Sequence, residues 1–402
     1  AAAAEESLDN KLIQLQQNNV EAIATFSEVP EELAVKLLHG QQSLLDLFSR
    51  DSHDWLPQVA VVLAQYARQV PFWQIGTDIF DEDITWDPRI KYVLTTLRTE
   101  FEKLIRNPIL FTPIPGLLDV NQQQVGNSYV SVAISSLIVP EQIPDYIAEF
   151  HKKGMNHIWA VLEPMTDSYI SRDNRLIDFA KRIAYAKKSE AQAIFINHPW
   201  SEKEYNARLV TEPTELLLIY RTLTDQFGGT RYLGEFELAP GVPVLVFDRD
   251  GQGCLFAWNT NYHPEAPPAQ SEFGLYLGKT PVEIDLFGNS KPLPMENGIG
   301  RIHLTNWPVF LSRVDSRMAM LRASMKWTPA IVDASVARQK VLLSFVNPFR
   351  IPISGRLRFQ LDESQMNWGV DPVVFNFSLQ PNQLFQQEIY LKLPRNEISG
   401  RK

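Results

Sequence analysis

Up to residue 227 the sequence repeats one pattern, in which a short apolar segment is followed by a longer segment with apolar residues at helical spacing. Short, mostly apolar strands that alternate with helices are typical of a parallel sheet whose outer face is covered by helices. The pattern therefore predicts an α/β fold with right-handed crossovers. The predicted strands lie near Val20, Trp73, Pro108, Tyr129, His157 and Ala191.

Two architectures agree with these strand–helix units. A doubly wound sheet normally carries a glycine-rich phosphate-binding loop after a strand, and the sequence has none. The other architecture is a (β/α)8-type barrel, which needs two more strands than the pattern supplies. We predict the barrel, over residues 1–229, with its first strands missing from this sequence. An open barrel would expose unpaired strand edges, so we expect a fragment of a larger protein, completed by further domains of the same polypeptide or by a partner chain.

After Gly228 and Gly229 the helical periodicity ends, and short strands bounded by Gly, Pro, Asn and Asp begin. Residues 248–251, Asp-Arg-Asp-Gly, predict a tight hairpin turn because glycine readily takes a positive φ. We therefore predict an antiparallel β domain over residues 230–316 and a second β-sandwich module over residues 317–402. The predicted fold class is α/β followed by all-β.

Charge and composition argue against several classes of function. The net charge is −9 and no long run of Lys or Arg occurs, which argues against a nucleic-acid-binding protein. Cys254 is the only cysteine, so an intramolecular disulfide and a cysteine-rich metal site are excluded. The spacing of His151, His157 and His263 is not that of metal ligands, and no apolar run is long enough to span a bilayer. We expect no metal, no cofactor and no membrane span.

One carboxylate follows a predicted strand closely. Residues 72–75 are predicted as a short buried strand, Gly76 allows a sharp turn, and Asp78 emerges just beyond it. The chemistry of a (β/α) barrel lies at the C-terminal ends of its strands, which makes Asp78 a candidate catalytic residue. The alternative is that Asp78 caps the turn that follows, a common role for Asp.

Several segments together resemble one protein family. Residues 73–78, Trp-Gln-Ile-Gly-Thr-Asp, are similar to the Trp-x-x-Gly-Asn-Glu segment that ends the fourth barrel strand of retaining glycoside hydrolases. Residues 159–164, Trp-Ala-Val-Leu-Glu-Pro, resemble the seventh strand of that barrel with its terminal carboxylate. The chain thus resembles bacterial proteins related to the retaining glycoside hydrolases of the (β/α)8 superfamily. Three further segments resemble the β domain that commonly follows such barrels, namely 247–251, 285–289 and 304–311. Three more resemble an appended immunoglobulin-like module, namely 345–348, 353–355 and 368–370.

The resemblance implies roles for individual residues. Asp78 takes the place of the acid/base, and Glu163 takes the place of the nucleophile. Thr77 stands where the family has the Asn that binds a sugar hydroxyl, and Asp78 is one methylene shorter than the family's Glu. Nearby acidic residues are alternatives to Asp78, namely Asp81, Glu82 and Asp83. The predicted substrate-binding residues are Thr77, Trp159, His198 and Trp200.

Two functions remain open at this point. The first is a glycoside hydrolase that acts on carbohydrate by a retaining mechanism. The second is a catalytically inactive relative whose barrel serves as a structural or carbohydrate-binding scaffold in a larger assembly, since fold does not determine function. The resemblance favours a bacterial, extracytoplasmic protein, either secreted or at the cell surface, over a cytoplasmic one.

Overall fold

The computed structural model describes residues 2–78, 87–115, 125–166, 170–197, 199–205, 208–265, 271–278, 280–333, 335–359, 361 and 367–394. The chain divides into two compact units, Ala1–His198 and Pro199–Lys402. Among the described helices, none has both the length and the apolar character needed to cross a membrane. The domain boundaries at residues 229 and 316 remain predictions.

The first unit alternates strands and helices, as the sequence pattern predicts. Its helices are α1 (Ala2–Gln17), α2 (Glu31–Leu38), α3 (Leu44–Phe48), α4 (Ser52–Tyr66), α5 (Ile90–Glu102), α6 (Ile143–Lys152) and α7 (Arg172–Lys188). Its strands are β1 (Ile23–Phe26), β2 (Phe72–Ile75), β3 (Ile109–Pro115), β4 (Tyr129–Ile134), β5 (His157–Leu162) and β6 (Ala193–Ile196). Each strand predicted in this region is therefore present, with its ends shifted by a few residues.

The strands β1 to β6 form one parallel sheet in the order of the chain. Each strand pairs with the next one in sequence, whereas a doubly wound sheet reverses its order at a switch point. The doubly wound alternative is therefore wrong. The sequential, curled parallel sheet is the arrangement of a barrel wall.

Local sequence explains how the helices begin and where they pack. Asp51 precedes α4, and its carboxylate accepts the backbone N–H of His53 at 3.0 Å, which satisfies one of the free donors of the first turn. Helix α5 places Phe101 against the sheet, with its ring centroid 6.2 Å from that of Phe26 and 6.1 Å from that of Trp73. Its apolar side chains thus cover the outer surface of β1 and β2.

The second unit begins with an antiparallel ribbon of β7 (Trp200–Tyr205) and β8 (Arg208–Pro213), followed by α8 (Glu215–Phe227). The next strands are β9 (Arg231–Glu237), β10 (Pro243–Arg249), β11 (Gln252–Ala257), β12 (Glu272–Leu275), β13 (Val282–Ile284), β14 (Ser290–Pro292), β15 (Met295–Glu296), β16 (Ile299–His303) and β17 (Val309–Asp315). They form a six-stranded sheet, β14-β13-β17-β11-β10-β9, and a three-stranded sheet, β12-β16-β15. The predicted hairpin turn joins β10 to β11, with positive φ at Asp250 (52°) and Gly251 (88°).

Helix α8 packs against the six-stranded sheet through its last residues. The ring of Phe227 lies 4.8 Å from that of Phe247, 5.5 Å from that of Phe256 and 5.0 Å from that of Phe310, between centroids. These four rings are buried. The end of α8 therefore shares a core with β10, β11 and β17.

The C-terminal part of the second unit has two sheets that pack face to face. Helix α9 (Ser316–Ala323) precedes these strands, which are β18 (Lys326–Thr328), β19 (Arg338–Val346), β20 (Ile353–Arg358), β21 (Gly369–Asp371), β22 (Val374–Leu379) and β23 (Leu384–Lys392). The sheets are β18-β19-β23-β21 and β20-β22. Phe345 of β19 contacts Phe377 of β22, with 5.2 Å between ring centroids, so the core lies between the sheets. The immunoglobulin-like class of this module remains a prediction.

A buried asparagine closes one end of this sandwich, and its loss should destabilise the second unit. The amide nitrogen of Asn347 donates to the carbonyl oxygens of Ile351, Leu379 and Gln380 at 3.0, 3.1 and 3.1 Å. Asn347→Ala would leave these acceptors unsatisfied, and we expect a loss of about 3 kcal/mol in the free energy of unfolding. Urea unfolding measures this loss. The exposed Asn376→Ala is the control, and equal effects of the two substitutions would contradict the expectation.

Candidate functional site

The turn after β2 brings Asp78 to the C-terminal end of the parallel sheet. Gly76 follows the strand with φ of 92°, a value that suits glycine and few other residues. Its backbone N–H donates to the carbonyl oxygen of Phe26 at 2.9 Å, which ties the turn to the end of β1. The predicted sharp turn is therefore present, and Asp78 lies three residues beyond the last residue of β2.

The carboxylate of Asp78 is half-buried and bonded on both oxygens. The hydroxyl of Ser131, in β4, donates to its Oδ1. The amide nitrogen of Gln74, in β2, donates to its Oδ2 at 3.2 Å and also to the carbonyl oxygen of Gly76 at 3.1 Å. Removal from water raises the pKa of Asp78 above its usual value, and the two hydrogen bonds oppose that shift. Asp78 thus retains its proton to a higher pH than an exposed Asp does.

This raised pKa predicts a pH dependence of stability. The folded chain binds the Asp78 proton more tightly than the unfolded chain, so the stability from this group is complete below the ordinary Asp value of 3.8. It is lost as the pH rises from that value through the raised pKa. We expect the free energy of unfolding of wild type to fall relative to that of Asp78→Asn across this range. Urea titrations between about pH 3.5 and 7 test this expectation, and a difference that does not change with pH would contradict it.

Glu163 is the first residue after β5 and lies at the same end of the sheet. Its backbone N–H donates to the carbonyl oxygen of Ile134 at 3.1 Å, which continues the pairing of β5 with β4. Its side-chain Oε2 accepts the backbone N–H of Ser136 at 2.9 Å. The side chain is half-buried. The carboxylate of Glu163 is therefore held over the end of β4.

Both carboxylates are thus bonded to β4 or to the residues that follow it, but at different positions along the direction of that strand. Ser131, which contacts Asp78, precedes the last residue of β4, Ile134, by three residues, a rise of about 10 Å along a strand. Ser136, which contacts Glu163, lies two residues past that end. Asp78 therefore reaches down into the interior of the curled sheet, whereas Glu163 stays at its rim.

Trp159 lies in the interior of the sheet. It is the register partner of Ser131, so both side chains project from the same face. Its ring stacks on that of Phe111 with 3.3 Å between centroids, and only 5% of its surface is exposed. Its ring also contacts those of Phe72 and Phe195, with 5.3 and 5.4 Å between centroids. The structure shows Trp159 in aromatic packing, and the predicted contact with substrate remains a prediction.

The other predicted binding residues are placed as follows. Thr77 is half-buried in the turn before Asp78. Trp200 begins β7 in the second unit and is 41% exposed. His198 lies outside the described residues, as do the alternative acids at 81–83. In the part of the chain that the structure describes, no group of three or more His, Cys, Asp or Glu side chains is arranged to hold a metal ion.

Sequence reasoning did not identify the polar partners of the two carboxylates. Gln74 and Ser131 are buried polar residues in otherwise apolar strands, and this departure from the pattern was the available signal. Ser136 binds through its backbone, so its residue type gave no signal.

The fold is similar to that of solved glycoside hydrolases. A family 39 glycoside hydrolase from the gut symbiont Bacteroides cellulosilyticus WH2 has a TM-score of 0.58 and 11% identity, over 77% of this chain and 71% of that chain. A GH30 endoxylanase from Clostridium papyrosolvens C71 has a TM-score of 0.50 and 11% identity, over 76% of this chain and 82% of that chain. No protein-family model and no curated protein matches the sequence. The sequential parallel sheet and these two similarities show that the chain shares its fold with solved glycoside hydrolases.

Proposed function

We propose that this protein acts on carbohydrate as a retaining glycoside hydrolase, at the C-terminal ends of the parallel strands, through Asp78 and Glu163. The observation that carries the proposal is that two carboxylates, from the segments after β2 and β5, are both bonded to β4 or to the residues that directly follow it. The two similar solved structures, a glycoside hydrolase and an endoxylanase, support carbohydrate as the substrate class. Enzymes with (β/α) barrels carry their active sites at this end of the sheet, which also supports the proposal.

The environment of Asp78 suits the role of the acid. Asp78, whose pKa burial raises, supplies the proton that the departing glycosidic oxygen needs. The carboxylate of Glu163 attacks the anomeric carbon and forms a covalent glycosyl ester as that oxygen leaves. Water then attacks the same carbon, Asp78 takes the proton of that water, and the sugar is released with its original configuration.

The depth of Asp78 favours a second candidate, a barrel that binds carbohydrate without cleaving it. Retaining enzymes hold their carboxyl groups about 5–5.5 Å apart. The bond to Ser131 holds Asp78 low in the sheet, so catalysis requires its side chain to leave that hydroxyl and turn towards Glu163. A side chain that stays bonded to Ser131 and Gln74 has a structural role instead.

One experiment separates the two candidates. A panel of aryl glycosides and unmodified oligosaccharides is tested for hydrolysis, and the same oligosaccharides are tested for binding by calorimetry. Hydrolysis that Glu163→Gln removes supports the proposed mechanism. Binding without hydrolysis supports the scaffold, and neither binding nor hydrolysis across the panel contradicts both.

A further inference from the structure

Helix α7 contains a fully buried arginine. Arg182 has 0% of its side chain exposed, although it carries a permanent positive charge. A buried charge is costly unless it is paired and its donors are all engaged. An arginine in this position therefore needs a specific set of partners.

The partners of Arg182 lie on its own helix and at the end of β4. Its Nε donates to Oδ2 of Asp178, one turn earlier, at 2.5 Å. Its Nη1 donates to the carbonyl oxygen of Ser135 at 3.1 Å, and its Nη2 donates to that of Ser136 at 2.7 Å. The planar guanidinium group holds two consecutive carbonyl groups at once, a geometry that lysine does not reproduce.

Ser135 and Ser136 are the two residues that directly follow β4. The backbone of Ser136 is bonded on both sides, since its carbonyl oxygen accepts from Arg182 while its N–H donates to Oε2 of Glu163 at 2.9 Å. A continuous chain of hydrogen bonds thus runs from Asp178 through Arg182 and Ser136 to the carboxylate of Glu163. Its members come from α7 and from the ends of β4 and β5.

We propose that Arg182 is a positioning residue, which fixes the carboxylate of Glu163 by clamping the Ser135–Ser136 segment. Arg182 acts through Ser136 and does not itself touch the carboxylate. The effect on turnover rests on the proposed function, whereas the clamp itself is measurable in a protein with no activity. A purely structural Arg182 would stabilise the unit without holding the Ser136 amide.

The experiment compares the wild-type 402-residue chain with Arg182→Met, Arg182→Lys and a control. The control, Arg172→Met, removes an exposed arginine of the same helix. Hydrogen exchange of the Ser136 amide is followed by NMR, and circular dichroism shows that each variant is folded. We expect exchange of this amide to accelerate at least about tenfold in Arg182→Met, measured relative to the amides of α5, because the carbonyl oxygens of Ser135 and Ser136 each lose the hydrogen bond from Arg182. Arg172→Met should leave this ratio unchanged.

Turnover provides the second measurement. With a cleaved aryl glycoside, Arg182→Met should lower kcat about a hundredfold with little change in KM, since a carboxylate displaced by about 1 Å loses that much rate. Arg182→Lys keeps the positive charge but loses the planar guanidinium group. Compared with Arg182→Met, it should recover part of the protection of the Ser136 amide from exchange and part of kcat. If Arg182→Met does not fold, Arg182→Lys is judged against wild type by the same criteria.

The two proposals fail separately. A folded variant in which Ser136 exchanges at the wild-type rate overturns the clamp, whether or not the protein has activity. A wild-type protein that cleaves no glycoside contradicts the proposed function, and the exchange rates then still decide the role of Arg182. Equal losses of kcat in Arg182→Met and Arg172→Met would also overturn the positioning role.

Discussion

Glu163→Gln is expected to abolish any glycoside hydrolysis that the protein performs. The substitution keeps the size of the side chain but replaces the carboxylate with a neutral amide, which does not attack the anomeric carbon. We expect kcat to fall at least about a thousandfold, which corresponds to about 4 kcal/mol of transition-state stabilisation. Initial rates with the best aryl glycoside of the panel measure this fall.

Two further variants sharpen this test. Glu149→Gln makes the same chemical change on an exposed side chain of α6 and should leave kcat unchanged. Glu163→Ala with added azide should regain turnover, because a small anion that enters the space of the lost carboxylate can attack the same carbon. Wild-type turnover in Glu163→Gln would remove Glu163 from the mechanism.

The sequence predicted the parallel strands because each of them carries a signal that is local. The segments around Trp73 and Trp159 are short, apolar and followed by helical periodicity, and they form β2 and β5 as predicted. The β7–β8 ribbon was not predicted. Its side chains Trp200, Tyr205 and Val210 are exposed, and none of the side chains that the structure describes in this ribbon is buried. Without a buried face, the alternating pattern that identifies a strand in a single sequence is weak.

The site was predictable only in part, for a different reason. The position of Asp78 and Glu163 after strands follows from the chain itself. Their hydrogen bonds to Ser131 and Ser136 depend on how far the sheet curls, and the bonds of Arg182 depend on how α7 lies over β4. Contacts between residues that are distant in sequence leave no periodic signal.

Phe227→Ala is expected to destabilise the second unit by about 3–5 kcal/mol, the usual cost of removing a buried phenylalanine. Its ring meets three aromatic rings from β10, β11 and β17, and these would face a cavity after truncation. Thermal and urea unfolding of the full chain, with hydrogen exchange read separately in the two units, measures the loss. The effect should be confined to the transition that includes β9 to β17.

Leu218→Ala is the matched control, since Leu218 is 43% exposed on the same helix. It should change the free energy of unfolding by less than about 1 kcal/mol. An unchanged stability of the second unit in Phe227→Ala would contradict this prediction, because Phe227 would then not stabilise the sheet that it contacts.

The sequential order of the parallel sheet also bears on how the chain acquires its structure. In the first unit each strand pairs with the one made just before it, so the sheet can grow as the ribosome extends the chain, one strand–helix unit at a time. In the second unit β11 ends at Ala257 and pairs with β17, which begins only at Val309. Bringing β11 and β17 together closes a long loop, and the chain loses this entropy before the contacts between the two strands form. The α/β unit can therefore fold before β17, a central strand of the six-stranded sheet, has been synthesised.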